Sequence, residues 1–325
     1  MSRLSPALEL TVPVRTTRTF DGVVVPWEVA GFAEDFAALR DRGGVFDLAH
    51  WQVVSVRGPD ARDFLHRLTT WDAKRATGDR ATRGAILNGR AQTISMGWFL
   101  SSGDEVRLLF PGPQGSAAAA HLETMHFAER LSVTLEPVAV FARTAPERPS
   151  PPSSGELRRD ADRWEWDDDL QPFVWALVPA ESAGAWLRAR PESLVGLRVF
   201  DYLRLDAGIP EVGRELAREA IVLEGNFESP IARNKGCYPG QEVIERIFTY
   251  GRVNRKLYRI DWDAVREPPV GTLLRASATE SPGNVPDATV VAAERHPVKS
   301  GGLGLALFPR AAWDYAGPWL AVLPE

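Results

Sequence analysis

Between residues 51 and 137 the apolar period of this chain switches repeatedly, and the order of the switches restricts the fold more than any other feature. Residues 51 to 57 (Trp-Gln-Val-Val-Ser-Val-Arg) are rich in β-branched side chains and read as a strand. Pro59 and Asp60 then open a helix in which Ala61, Phe64, Leu65 and Leu68 recur at i, i+3, i+4 and i+7, one face of a 3.6-residue period. Strand-like runs follow near 83 to 88, 93 to 100 and 105 to 110, and the turn Ser101-Ser102-Gly103-Asp104 makes the last two a hairpin. Ala117 to Arg130 is a good helix former, and Leu131-Ser132-Val133-Thr134-Leu135 returns as a strand. Strand, helix, two or three strands, helix, strand is the ferredoxin-like order. It predicts a compact α+β subdomain at about 51–137, inserted into a larger domain.

The rest of the chain is organised differently. From Arg143 to Gly155, Pro and Ser dominate without an apolar period, which predicts an exposed loop or linker. Trp164-Glu165-Trp166 and Phe173 to Val178 suggest strands, whereas Ser182 to Arg190 and Leu197 to Asp206 suggest helices. After Gly251, strand-like runs at 253 to 262, 272 to 276, 288 to 295 and 303 to 308 alternate with Pro and Gly turns. Strands without intervening helices predict a small β-barrel or sandwich. A chain of 325 residues is expected to divide into two or three domains. Most of its 11 tryptophans are expected in cores, with one or two left to stack on a flat ligand.

Several classes are disfavoured by composition. A net charge of −5 argues against a dedicated nucleic-acid binder, which carries a basic excess. No apolar run approaches the roughly 20 residues of a membrane span. A single cysteine suits a reducing cytosol better than a disulfide framework, so the expected location is cytoplasmic. Arg3, Arg15 and Arg18 faintly suggest a transit peptide, but Pro6 and Pro13 interrupt any amphipathic period, and an ordinary leading segment is expected.

That cysteine lies in Lys235-Gly236-Cys237-Tyr238-Pro239-Gly240-Gln241-Glu242. Lys235 places a positive charge near the thiol. Pro239 is a favoured first helical residue, and Val243, Ile244 and Ile247 suggest a helix starting there. Cys237 would then precede a helix N-terminus, whose unpaired N–H groups favour thiolate over thiol. The plain alternative is a buried structural cysteine.

The octapeptide resembles the motif of the YgfZ-type folate-binding proteins, relatives of the glycine-cleavage T-protein (aminomethyltransferase) that assist iron–sulfur enzyme maturation. Three further stretches resemble the same superfamily in order: Gly44 to Leu48 with Val56 to Leu65, then Leu203-Arg204-Leu205-Asp206-Ala207-Gly208-Ile209-Pro210, then Gly251 to Leu257. The resemblance covers roughly residues 40 to 320. It implies a ring of three subdomains around a tetrahydrofolate pocket. Residues 1–250 would form the folate-binding domain with its ferredoxin-like insertion, and 251–325 a C-terminal β-barrel. Cys237 would be the working thiol, and the partners would be iron–sulfur client or assembly proteins. One thiolate supplies one of the usual four cluster ligands, so any cluster contact would be shared or transient.

Asp206 ends the Leu197–Asp206 helix, where the dipole disfavours a carboxylate and a compensating donor is needed. In T-protein-like folds the matching acid binds the pterin, whose N3–H and 2-amino group imitate half a guanidinium. A solvated helix-end carboxylate is the alternative, and Asp here is one methylene shorter than the T-protein's Glu. Arg233 and Lys235 would hold the folate's glutamate tail by charge, surface solvation being the alternative for each, and the resemblance implies that Tyr238 of the same motif also binds the cofactor. Glu242 and Arg246 have the spacing of a surface ion pair.

The T-protein's methyl-transfer chemistry uses an aspartate where consecutive acids follow an Asn-x-x-Gly segment. The corresponding stretch, Leu87 to Trp98, carries Ser95 and Met96 there. Neither side chain holds a negative charge, so aminomethyl transfer in the T-protein manner is expected to be lost. The rival expectation is a folate-dependent aminomethyl or methyl transferase acting on an unidentified amine. His50, His66, His121, His126 and His296 form no metal-ligand pattern, and a Cys–His hydrolase would need one of them beside Cys237.

Overall fold

The ferredoxin-like subdomain forms as the period switches predict. The computed structural model describes residues 3–10, 12–76, 78–144, 156–160, 163–168, 171, 173–251, 253–263, 266–277 and 285–322. Its chain divides into two compact units, one of Met1–Leu87, Ile94–Asp201 and Ser229–Pro239, the other of Asn88–Thr93, Tyr202–Glu228 and Gly240–Glu325.

In the first unit a five-stranded sheet has the order Arg80–Leu87, Thr93–Ser102, Glu105–Phe110, Gln52–Arg57, Ser132–Glu136. Gln52–Arg57 is antiparallel to both neighbours, with Val54 opposite Leu108 on one side and Leu135 on the other. The last four strands named, with helices Ala61–Leu68 and Gln114–Thr124 as crossovers, make the ferredoxin-like unit. Arg80–Leu87 is an added edge. Phe64, Leu65 and Leu68 turn inward onto Val54, Ile86, Phe99, Leu108 and Phe110, each large side chain contributing about 1.5–3 kcal/mol by leaving water. The second helix starts and stops earlier than the expected 117–130. The Glu129 carboxylate accepts from the Phe127 and Ala128 N–H groups, both at 3.2 Å, and so replaces the carbonyls a longer helix would offer.

The same unit holds a six-stranded sheet in the order Leu157–Asp160, Arg163–Asp167, Val174–Pro179, Val138–Thr144, Gly44–Asp47, Ser193–Leu194. Of the expected linker, residues 143 and 144 close the strand Val138–Thr144, and 145–155 lie outside the described residues. Trp166 and Trp175 stack at 6.0 Å between ring centroids, and Trp51 lies 5.0 Å from Trp175. Trp98 adds an edge contact to Trp166 at 5.9 Å. All four are buried, so these tryptophans fill core.

The second unit contains helix Gln241–Tyr250, closed by Gly251, whose φ of +65° places its N–H on the Ile247 carbonyl. Its sheet is antiparallel with the order Arg255–Trp262, Gly302–Pro309, Ala288–Arg295, Leu273–Ala276, Trp319–Val322. The expected barrel is thereby corrected to an open ladder: among the described residues the two end strands do not pair. Tyr258, Trp313 and Trp319 cover Phe308, with the Trp319 and Tyr258 rings 5.1 and 5.6 Å from it, so the apolar face is screened without closure. Among the described residues no helix is long and apolar enough to cross a membrane.

Candidate functional site

A helix leaves its last carbonyls without intrahelical donors, and the octapeptide loop supplies one. Helix Ala61–Leu68 ends at Thr69, which is extended. Lys235 Nζ donates to the Thr69 carbonyl at 2.7 Å and to the His66 carbonyl. The Tyr238 ring centroid lies 4.8 Å from the same ammonium. Burial disfavours the charge and lowers the Lys235 pKa from 10.5 to about 8, with Asp72 and Cys237 acting the other way. Lys235 is therefore the loop's anchor. Its ammonium is turned toward helix carbonyls, not outward to the acidic tail expected for it, while Arg233 is exposed.

Cys237 is exposed and its thiol is free of any disulfide, unlike the buried structural cysteine of the plain alternative. Gly236 precedes it with a φ of +99°, and a Cβ built there would stand 3.7 Å from His66 Nε2. The loop thus crosses the edge of a buried imidazole. His66 Nδ1 is 3.6 Å from Asp72 Oδ1, and burial holds the imidazole pKa below its usual value. Asp72 in turn accepts from the Lys74 and Arg75 N–H groups at 3.1 and 3.2 Å. An acid, an imidazole, an anchored ammonium and an exposed thiol are gathered around one turn of chain. The sequence offers His66 only as one of five histidines that could stand beside Cys237, because its apolar neighbours mark the helix as core; the loop's passage past its Nε2 singles it out.

The expected helix start at Pro239 is corrected. Helix Gln241–Tyr250 is preceded by Gly240 at φ +80°, so Cys237 lies upstream in a loop and belongs to the other compact unit. Gly240 has a steric reason to be glycine. A Cβ there would come within 2.7 Å of Ala91 Cα and 2.8 Å of the Asn88 carbonyl. Asn88 and Ala91 belong to a turn in which Asn88 Oδ1 accepts from the Arg90 and Gln92 N–H groups, at 2.9 and 3.1 Å. The motif's second glycine and the Asn-x-x-Ala turn are therefore one packing feature of the second unit.

Asp206 lies in that second unit, exposed at the end of helix Leu197–Asp206. The donor that a helix-end carboxylate needs is Arg259, which gives Nε and Nη2 to Asp206 Oδ1 at 3.1 and 2.9 Å. Both N–H groups converge on one carboxylate oxygen, Oδ1, whereas a pterin edge presents its two donors side by side, one to each oxygen. Two residues back, Arg204 is buried and holds Glu215 through both guanidinium nitrogens at 2.9 and 3.0 Å, fixing the segment that follows the helix. Within the first unit, Ser95 is fully buried with its hydroxyl donating to the Gln114 carbonyl at 2.7 Å, and Met96 is buried beside it. The expected Glu242–Arg246 pair forms at 2.8 Å on the surface. Among the described residues no three His, Cys, Asp or Glu side chains are placed to hold a metal.

No protein-family model matches the chain. A chloroplastic protein of Arabidopsis thaliana, provisionally described as a transferase, is 25% identical over 274 residues; the match covers 76% of this chain and 62% of that protein's length. Aminomethyltransferases of Rubrobacter xylanophilus and Pseudomonas syringae are 27% and 26% identical, over 70% and 93% of this chain and 67% and 90% of theirs. The glycine cleavage system aminomethyltransferase T of Bartonella henselae superposes with a TM-score of 0.84, covering 99% of this chain and 96% of its own, at 18% identity. The chain has the aminomethyltransferase fold. Sequence relatives and fold neighbour together indicate the aminomethyltransferase-like superfamily. Within that fold, Ser95 and Met96 are sheet core.

Proposed function

We propose that this chain is a cytoplasmic tetrahydrofolate-binding protein of YgfZ type that assists iron–sulfur cluster assembly or repair in client enzymes. The observation that carries the reading is the exposed Cys237 within its eight-residue motif, on a loop anchored by Lys235. An exposed thiol on a fixed loop suits transient contact with a partner protein, to whose cluster it would lend one thiolate ligand. Asp206 fits the pterin chemically, because it is an exposed carboxylate with two acceptor oxygens, one of which Arg259 now holds. It would take the N3–H and 2-amino group in charge-assisted hydrogen bonds. Arg233, two residues before the motif, is exposed and would meet a folate's carboxylates. Tetrahydrofolate would supply one-carbon or reducing chemistry; the residues named here bind and orient it.

A second reading, a folate-dependent aminomethyl or methyl transferase on an unidentified amine, is favoured by the names the relatives carry. Against it stand the uncharged, buried Ser95 and Met96. Calorimetry with 5-formyltetrahydrofolate tests the binding. Complementation of a strain deficient in iron–sulfur enzyme maturation, with the native chain and with Cys237→Ser, tests the task. Absence of heat and of thermal shift at millimolar folate would remove both readings, and full complementation by the serine variant would remove the thiol from the first.

A further inference from the structure

One face of the six-stranded sheet in the first unit carries a cleft of about 490 Å³, within the range of roughly 300 to 1,000 Å³ that ligand sites occupy. Leu194 stands opposite Val45 in a parallel strand pair, and with Leu10 and Leu187 they make the cleft apolar. Phe46, next to Val45, turns to the other face, where Phe173 and Phe200 lie 5.7 and 5.5 Å away. The cleft and the aromatic core are therefore on opposite sides of the sheet. None of the residues lining it belongs to the thiol loop or to those assigned to tetrahydrofolate.

Charges of both signs line it, Arg188 and Arg190 against Glu9 and Glu192. No ion pair joins them, and among the described residues neither arginine has an acidic partner. Each group is held where it stands. Arg190 Cζ lies 4.6 Å from the Trp186 ring centroid, and that ring stacks on Phe141 at 4.6 Å. A Cβ built on Gly184 would stand 3.5 Å from Arg188 Nη2 and 3.8 Å from Leu10 Cδ2, so this guanidinium lies back along helix Ala183–Arg188 beside the apolar wall. The Glu192 side chain is 6% exposed, and its Oε1 accepts from Arg143 Nη1 at 3.0 Å. That cation is shared. Arg143 and Arg163 serve three acids between them, Glu192, Glu165 and Asp160, which leaves the group one positive charge short. Glu192 therefore keeps negative charge against the cleft, and the exposed Glu9 adds to it. Unpaired cations, uncompensated acids and an apolar wall in one concavity match a ligand that carries both charges and a hydrocarbon body.

We propose that this cleft binds a small zwitterion with an apolar side chain, of the class of leucine-like amino acids. Arg190 and Arg188 take the carboxylate, the field of Glu192 and Glu9 holds the ammonium, and Leu10, Val45, Leu187 and Leu194 receive the side chain. A ligand of one sign would leave the charges of that same sign in the cleft opposed to it.

L-leucine is titrated into the native protein by calorimetry with no folate present, so that the outcome is independent of the proposed function. Saturation is expected. N-acetyl-L-leucine, L-leucinamide and glycine each lack one matched feature and are expected to bind roughly tenfold more weakly or worse. Glu192→Gln keeps the shape and the Arg143 contact but loses the charge, and Arg190→Gln removes a cation. Each variant, folded by circular dichroism, is expected to weaken leucine roughly tenfold. No saturable leucine binding at 10 mM (roughly the weakest affinity worth calling a site) overturns the proposal. So does equal binding of N-acetyl-L-leucine, which would mean an anion site, of leucinamide, which would mean a cation site, or of glycine, which needs no apolar wall. Variants that bind leucine like the native protein overturn it as well.

Discussion

Arg259 gives two of its N–H groups to a single oxygen of Asp206, at 3.1 and 2.9 Å, so the carboxylate offered to a pterin is already engaged with a cation. Both side chains are substantially exposed, and such a pair contributes about 0–1 kcal/mol. Charge-assisted bonds to a ring ligand are worth more, about 1.5–3 kcal/mol. Asp206→Ala is therefore expected to weaken 5-formyltetrahydrofolate binding by roughly ten- to a hundredfold. Arg259→Ala removes the competitor and is expected to strengthen binding by up to about fivefold. Calorimetry reads both, and an unchanged affinity in Asp206→Ala would take the acid out of the site.

Lys235 satisfies two carbonyls at the end of helix Ala61–Leu68, and Lys235→Met leaves them buried without a donor. Loss of stability of about 1–3 kcal/mol is expected by urea denaturation. The pH dependence follows from burial. With the folded pKa near 8 and the ordinary value 10.5, the unfolded chain holds a proton between those limits that the folded chain has released. Native stability should rise with pH across that window relative to Lys235→Met, and below it the difference should be flat. A parallel pair of curves would show that the ammonium is not desolvated.

His66 gives the opposite limb. Burial lowers its pKa below the ordinary 6.5, so as pH falls past that value the unfolded chain takes the proton first and stability is lost. His66→Gln should show a shallower acid slope by thermal denaturation, and an unaltered slope would place the titration elsewhere.

How far the sequence reveals the molecule depends on the range of the interactions involved. Phe64, Leu65 and Leu68 declare their helix through local spacing, and four of the five strands after Gly251 declare themselves through Pro and Gly turns, Trp319–Val322 being the one that does not. Closure of those strands is a long-range property, which the covering of Phe308 by Trp313 and Trp319 decides and no local pattern records. The same distinction holds in the site. Cys237 and Asp206 stand out by residue type and motif. The partners that set their behaviour lie far along the chain: Lys235 reaches His66, and Arg259 reaches Asp206. Pro239 makes the helix start look continuous with the motif, and the positive φ of Gly240 separates the two.

Restoring an acid to the sheet should not restore methyl transfer. Ser95 has no exposed surface, and its hydroxyl faces the Gln114 carbonyl. Asp at this position would bury a carboxylate against an acceptor, at a cost of about 3–5 kcal/mol for an uncompensated charge. Ser95→Asp is expected to lower the melting temperature and to show no methylenation of folate with aminomethylated carrier protein. Activity in the native chain or in the variant would return the transferase reading to first place.

The exposure of Cys237 leads to the sharpest prediction. An exposed thiol on a loop whose fixed point is Lys235, not the sulfur, contributes little to packing. Cys237→Ser should therefore change stability by no more than about 0.5 kcal/mol and leave folate affinity unaltered. The native protein should be labelled by one equivalent of a thiol-specific disulfide reagent without denaturant, since the chain has one cysteine. Lys235→Met should alter the labelling rate, because it frees the loop that presents the sulfur and removes the nearby ammonium. The serine variant should fail to complement a strain deficient in iron–sulfur enzyme maturation while still binding folate. That combination separates a working thiol from a structural one, because a structural cysteine would resist labelling in the folded state and tolerate serine in the cell.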